Sequence, residues 1–184
     1  MTLPSWHEEP ISKHHPRDRF DCSDEDLNVY LQRYARQNHE GGGAKTFLAI
    51  DDVDSRVLGF YTLAPCSIAH EHAPSDLMRG QARHDVPGYR LARLAIDRTL
   101  QGQGLGGQLL LSAGERCLRV ATEVGGLVLA IDAKNERAAR WYASYGAVRL
   151  TGMPDPDVPP FPMVIALRTI AAALEVAGSR DPQP

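Results

Sequence analysis

The sequence predicts an α/β fold whose sheet is antiparallel at its start and parallel only around one glycine-rich loop. Three observations carry that expectation. The apolar run Leu91, Leu94, Ala95, Ile96 leads through Asp97-Arg98-Thr99-Leu100 into Gln101-Gly102-Gln103-Gly104-Leu105-Gly106-Gly107, after which Leu105, Leu109, Ala113 and Cys117 repeat at helical spacing. A second apolar run, Leu127 to Ile131, is bounded by Gly125-Gly126 and Asp132 and suits a strand covered on both faces, parallel to the first. Ahead of both, Thr46 to Ile50 and Val57 to Leu63 are strand-like runs joined by the polar turn Asp51 to Ser55, which reads as a hairpin.

The remaining elements follow in chain order. Residues 1–19 hold three prolines and three histidines without periodicity and read as an irregular N-terminal arm. Ser23 with Asp26 resembles a capping box, and Leu27, Tyr30, Leu31 and Tyr34 follow at three- and four-residue intervals, giving an amphipathic helix over 24–38 that stops at Gly41-Gly42-Gly43. Residues 65–87 are mixed, with room for one short strand or helix. Then come strand 89–96, helix 105–122, strand 127–131 and a short helix 135–145 with Ala138, Ala139, Trp141 and Tyr142 on and near its inner face, ended by Gly146. Residues 148–150 and 163–167 supply an antiparallel pair, 169–177 a last helical turn or two, and 178–184 read as disordered.

A chain of 184 residues is one domain able to bury a core without staples, here 20–168 between the arm and a C-terminal extension 169–184. Hydrophobic content of 43% and charged content of 23% are those of a soluble enzyme. No apolar run approaches the ~20 residues that span a bilayer, and the start lacks a signal-peptide layout, so a cytoplasmic protein is expected. Cys22, Cys66 and Cys117 form no C-x-x-C pair, which points to small core residues. His70-Glu71-His72 with His84 follows no zinc spacing and His14-His15 reads as a solvated pair, so no metal is expected. A net charge of -3 leaves only a local basic face for any nucleic acid.

The glycine loop is where the chemistry points. The first turn of a helix leaves backbone N–H groups without partners at the positive end of the helix dipole, and glycines let that backbone approach a phosphate closely. A Walker loop would need Gly-Lys-Ser/Thr, and Gly107-Gln108 is not that. Gly102-x-Gly104-x-x-Gly107 matches the dinucleotide fingerprint, with Asp132 near the place of a ribose-binding acid. Against it, Asp97 to Gln101 separate strand from first glycine, and too little chain remains after Asp132 for a doubly wound sheet. A plain tight turn would not need glycines that lose so much conformational entropy on folding.

Gln101-x-x-Gly104-x-Gly106, together with Asn135-x-x-Ala138-x-x-Trp141-Tyr142-x-x-x-Gly146, resembles the acetyl-CoA motif and the later helix of the GNAT-superfamily N-acetyltransferases over residues 17–168. The resemblance implies the GNAT fold, an α/β domain whose mixed, largely antiparallel sheet splays a central parallel strand pair around the cofactor. It implies that Gln101, Gly102, Gln103, Gly104, Leu105, Gly106 and Gly107 hold the pyrophosphate of acetyl-CoA, that Leu94, Ala95 and Ile96 pair with its pantetheine arm, and that Asn135 joins these cofactor contacts. Tyr142 resembles the general acid that protonates the departing thiolate, a backbone N–H meeting the developing oxyanion. Reference pKa values near 8.5 for a thiol and 10 for a phenol, ~1.5 units apart, make that transfer easy. Tyr145 is the competing phenol.

A closer resemblance is to the GNAT toxins of bacterial toxin–antitoxin modules, which acetylate the α-amino group of aminoacyl-tRNA and so stop translation. Phe20 to Asn28, Tyr30-Leu31, Ala35 to Asn38, Gly59 to Ala64 and Leu91 to Asp97 carry it. It implies a ribbon-helix-helix antitoxin and a homodimer. An α-amino group, with a pKa near ~7.7–8.0, needs little help from a base. Arg79, Arg83 and Arg93 are the first candidates for RNA contact, Arg93 alternatively for a cofactor phosphate. Two other readings remain: a GNAT enzyme acting on a small amine, a polyamine or a protein N-terminus, and a non-catalytic acyl-CoA-binding regulator.

Overall fold

The structure, a computed structural model, describes residues 2–178. Seven strands are hydrogen-bonded in the order β1-β2-β3-β4-β5-β7-β6. This is the GNAT fold: a mixed sheet, mostly antiparallel, in which only β4 (Val86–Ile96) and β5 (Val128–Ala133) run parallel. The chain divides into two compact units, residues 1–64 with 91–113, and 65–90 with 114–184. The expected disorder of 178–184 falls almost wholly outside the described residues.

In the first unit, β1 (Trp6–Pro10) pairs antiparallel with β2 (Lys45–Asp51), Trp6 opposite Asp51 and Pro10 opposite Phe47. The N-terminal arm is therefore not irregular throughout. Five residues without apolar alternation still form an edge strand, because β2 supplies the backbone partners and an edge tolerates proline. β2 and β3 (Val57–Ile68) form the expected hairpin, with Thr46 and Thr62 sharing a buried 2.8 Å hydrogen bond.

The helix expected over 24–38 is helical throughout but changes pitch: α1 (Glu25–Val29), a π-helical turn (Tyr30–Tyr34) and α2 (Ala35–Gly41). Leu31 and Ala35, both fully buried, face the core from it, where Phe20 and Phe60 meet edge to face at 5.6 Å. Ser23 is not the cap. It sits at φ 65, and Asp24 takes the cap position, its carboxylate accepting the Leu27 N–H at 3.3 Å. Gly42 closes α2 at φ 81, a left-handed position that favours glycine.

In the second unit, the 65–87 stretch holds the end of β3, a 3-10 turn (His70–His72) and α3 (Ser75–Met78). β7 (Phe161–Ala166) lies between β5 and β6 (Val148–Arg149), antiparallel to both, and α6 (Leu167–Gly178) follows it. A core of Ile68, Ala73, Val86, Val128, Ala130 and Val164 holds these elements together. α4 (Leu105–Val124) opens directly after the glycine loop, and α5 (Glu136–Ala143) carries Tyr142.

Candidate active site

The first unit offers the loop between β4 and α4. Gly102 and Gly104 adopt φ 78 and 95, and a Cβ on either would meet nothing within 4 Å, so the loop needs glycine for its turn and presents open backbone outward. The amides of Gly107 and Gln108 both donate to Gly104 O, at 3.1 and 3.2 Å. Helical pairing thus begins at Gly107, leaving the Leu105 and Gly106 amides in the unpaired first turn. Leu105 itself is fully buried and anchors that turn. These residues fit a diphosphate through the open backbone of Gly102 and Gly104 at a helix N-terminus, whereas Leu105, fully buried, presents no exposed amide.

The loop is braced from within its own unit. Asp97, 9% exposed, accepts the Thr99 N–H at 3.0 Å and the Thr99 hydroxyl at 2.6 Å, and its own N–H donates to Leu58 O at 2.9 Å. The Gln101 carboxamide donates to Ile96 O and to Cys22 O, both at 3.0 Å. The Gln103 carboxamide donates to Thr99 O at 3.0 Å. The side chains of both glutamines therefore shape the loop, and the Gln103 N–H is spent on it as well, donating to Leu100 O at 3.3 Å. Leu94, Ala95 and Ile96 form the end of β4, with Ala95 buried and its neighbours half-buried. Gly59 lets β3 lie against them, since a Cβ there would stand 2.9 Å from Ala95 O and from Ile96 Cδ1.

The second unit offers α5. Asn135 is its N-cap, the side-chain oxygen accepting the Ala138 N–H at 2.8 Å, so its carbonyl oxygen is committed to the helix and only its amide nitrogen is left to reach a ligand. Tyr142 is half-buried, edge-on to Trp141 with ring centroids 4.8 Å apart, and its hydroxyl makes no hydrogen bond among the described residues. Burial pushes its pKa up to about 12. That widens the expected gap to a free thiol, but dry surroundings penalise a thiolate just as they penalise a phenolate: burial also takes Cys117 to about 12. Tyr145 is more exposed, tilted against Trp141 at 5.0 Å.

The arginines divide between the units. Arg93, in the first, lies over the Tyr30 ring at 4.8 Å and donates to Ala92 O, leaving an exposed guanidinium. Arg79 and Arg83, in the second, are exposed, and Arg79 reaches Asp76 at 4.0 Å. His14-His15 is not simply a solvated pair. His15 is buried, takes the Ser12 N–H on Nδ1 at 3.0 Å and so donates from Nε2 to Glu9 at 3.0 Å. Glu9, His14 and His15 bring ligand-type atoms within 4.8 Å of one another, yet a metal on Nε2 would leave Nδ1–H facing that Ser12 donor.

Sequence reasoning missed the brace and the aromatic support of α5. Asp97 two residues before Thr99 is an Asx-turn pattern that could have revealed the first. Nothing local announces Gln101 reaching Cys22.

The acetyltransferase (GNAT) family model matches residues 5–147. The chain is 37% identical over 126 residues to the tRNA-acetylating toxin of Mycobacterium tuberculosis (strain ATCC 25618 / H37Rv), covering 68% of this chain and 74% of that one. Among solved structures it resembles AtaT complexed with acetyl-methionyl-tRNAfMet, with a TM-score of 0.83 at 26% identity over 92% of this chain and 99% of that one. It also resembles a mutant AtaT toxin bound to the C-terminus of the antitoxin AtaR and acetyl-CoA, with a TM-score of 0.75 at 26% identity over 92% and 98%. The chain belongs to the GNAT family and is an acetyltransferase that draws its acetyl group from acetyl-CoA.

Proposed function

We propose that this acetyltransferase modifies the α-amino group of aminoacyl-tRNA and acts as the toxin of a toxin–antitoxin pair. The observation that carries the reading is the 37% identity to a tRNA-acetylating toxin across 68% of the chain. Acetyl-CoA supplies an activated acetyl group. The amides of Gly102, Gly104 and Gly106 hold its diphosphate, with Leu94 to Ile96 beside the pantetheine arm. The acceptor amine forms the new N–C bond as the C–S bond breaks, Tyr142 gives its phenolic proton to the departing sulfur, and the proton that nitrogen loses passes through water to restore the phenol. A pKa of about 12 keeps Tyr142 protonated at every working pH, as an acid requires.

Arg79, Arg83 and Arg93 contact the RNA backbone in this reading; all three are exposed, and among the described residues Arg79 pairs weakly with Asp76. The partner antitoxin is a ribbon-helix-helix protein, the active form is a homodimer, and the place of action is the cytoplasm. Among the described residues no helix is long and apolar enough to cross a membrane.

The test is incubation with labelled acetyl-CoA and a mixed pool of charged tRNAs. Label should enter aminoacyl-tRNA and not deacylated tRNA, and expression without an antitoxin should arrest growth. Label entering only small amines, or none entering tRNA, overturns the proposal. Acceptor affinity should also fall steeply with salt as phosphate contacts release counterions.

A further inference from the structure

The Phe20 to Asn28 segment carries much of the resemblance to toxins but holds no residue of the reaction. Its polar atoms converge on the cofactor loop. Asn28, 8% exposed, accepts the Cys22 N–H at 2.9 Å on its side-chain oxygen and donates from its nitrogen to Asp21 Oδ1 at 3.1 Å. The corner it holds is tied to the loop four ways. Cys22 O accepts from the Gln101 carboxamide at 3.0 Å, Asp21 O accepts the Arg98 N–H at 2.8 Å, the Asp21 carboxylate pairs with Arg98 Nε at 3.3 Å, and the Asp21 N–H points to Asp97 Oδ2 at 3.4 Å.

We propose that Asn28 is a positioning residue for acetyl-CoA: through the Asp21–Cys22 corner and Gln101 it sets the loop whose amides bind the diphosphate. Ser23, held at φ 65 with its N–H on Asp21 Oδ1 at 2.8 Å, gives the corner one shape. A buried carboxamide with both ends used fixes its neighbours more tightly than an apolar residue could, because each partner left without it would be a buried polar group unsatisfied. The loop therefore does not set its conformation alone. Part of it comes from a helix start nearly eighty residues earlier in the chain.

The inference rests on the loop being the diphosphate site, and the test separates the two. Calorimetric titration of CoA into Asn28→Ala should show Kd about tenfold higher, ~1.4 kcal/mol. The KM for acetyl-CoA should rise in parallel while kcat stays within about twofold, as lost uniform binding requires. Leu31→Val, in the core beneath the same helical stretch, should lower Tm with CoA affinity unchanged. Should Asn28→Ala not fold, Gln101→Glu, on an exposed side chain, loses both donors and should weaken CoA equally, while Gln101→Arg keeps donors and restores it. Wild-type CoA affinity in Asn28→Ala, or in Gln101→Glu where that variant stands in, overturns the inference, as does an equal loss in Leu31→Val. If Gly104→Val binds CoA like the wild type, the loop reading itself falls.

Discussion

Arg90 and Asp132 face each other from the parallel strands β4 and β5, guanidinium Nη1 on carboxylate Oδ2, each side chain more than a third exposed. The acid that the dinucleotide fingerprint would assign to a ribose is thus spent on a neighbouring strand. Exposure makes the pair weak: a double-mutant cycle of Arg90→Ala and Asp132→Ala should give a coupling of about 0.2–1 kcal/mol that shrinks with salt. Asp132→Asn should leave kcat and the KM for acetyl-CoA unchanged.

Tyr142→Phe removes one oxygen that makes no hydrogen bond among the described residues, so the fold should not notice. The acid role predicts kcat lower by about 10²-fold or more with CoA affinity intact. Tyr145→Phe should behave as wild type. Steady-state kinetics beside calorimetry of CoA checks both.

The pH profile follows from the same phenol. An α-amino acceptor must be neutral to attack, so kcat/KM should rise through about pH 7–8. No falling limb should appear below about pH 10, because Tyr142 keeps its proton up to about 12. Stability carries the opposite sign. The folded pKa lies above the ordinary value of 10.0, so the contribution is whole below pH 10 and is lost as pH rises towards 12. A falling limb near pH 8 would assign the proton to another group.

Gly88→Ala should destabilise the second unit by about 3 kcal/mol, the upper range for overpacking. Its Cβ would stand 2.4 Å from Val128 O, a backbone atom that cannot rotate away, and 2.6 Å from Val128 Cγ2. Thermal denaturation of the variant beside Gly80→Ala, where a Cβ meets nothing within 4 Å, separates crowding from lost glycine freedom.

Elements whose signal is local were legible in the sequence. The hairpin, the β4–loop–α4 passage and α5 show their periodicity and punctuation in the residues themselves. β1 was not, because Trp6–Pro10 has no alternation of its own and becomes a strand only against β2. The cap moved from Ser23 to Asp24 because Ser23 sits at the corner, its N–H held by Asp21. Of the site, the glycines and Tyr142 were readable by type and spacing. The roles of Gln101 and Asn135 as brace and cap were not, since both depend on where a side chain ends. The dry setting of Tyr142 depends on burial, which no spacing encodes.

Each compact unit carries one of the two tryptophans. The Trp6 indole donates to the Gln108 side chain at 3.0 Å, on the opening turn of α4, and Trp141 stacks edge-on to Tyr142. The protein therefore comes with a native fluorophore beside each half of its chemistry. Replacing either indole with phenylalanine leaves an emission spectrum that watches one element alone, so coenzyme arrival at the loop and at α5 can be timed separately by stopped flow without any label.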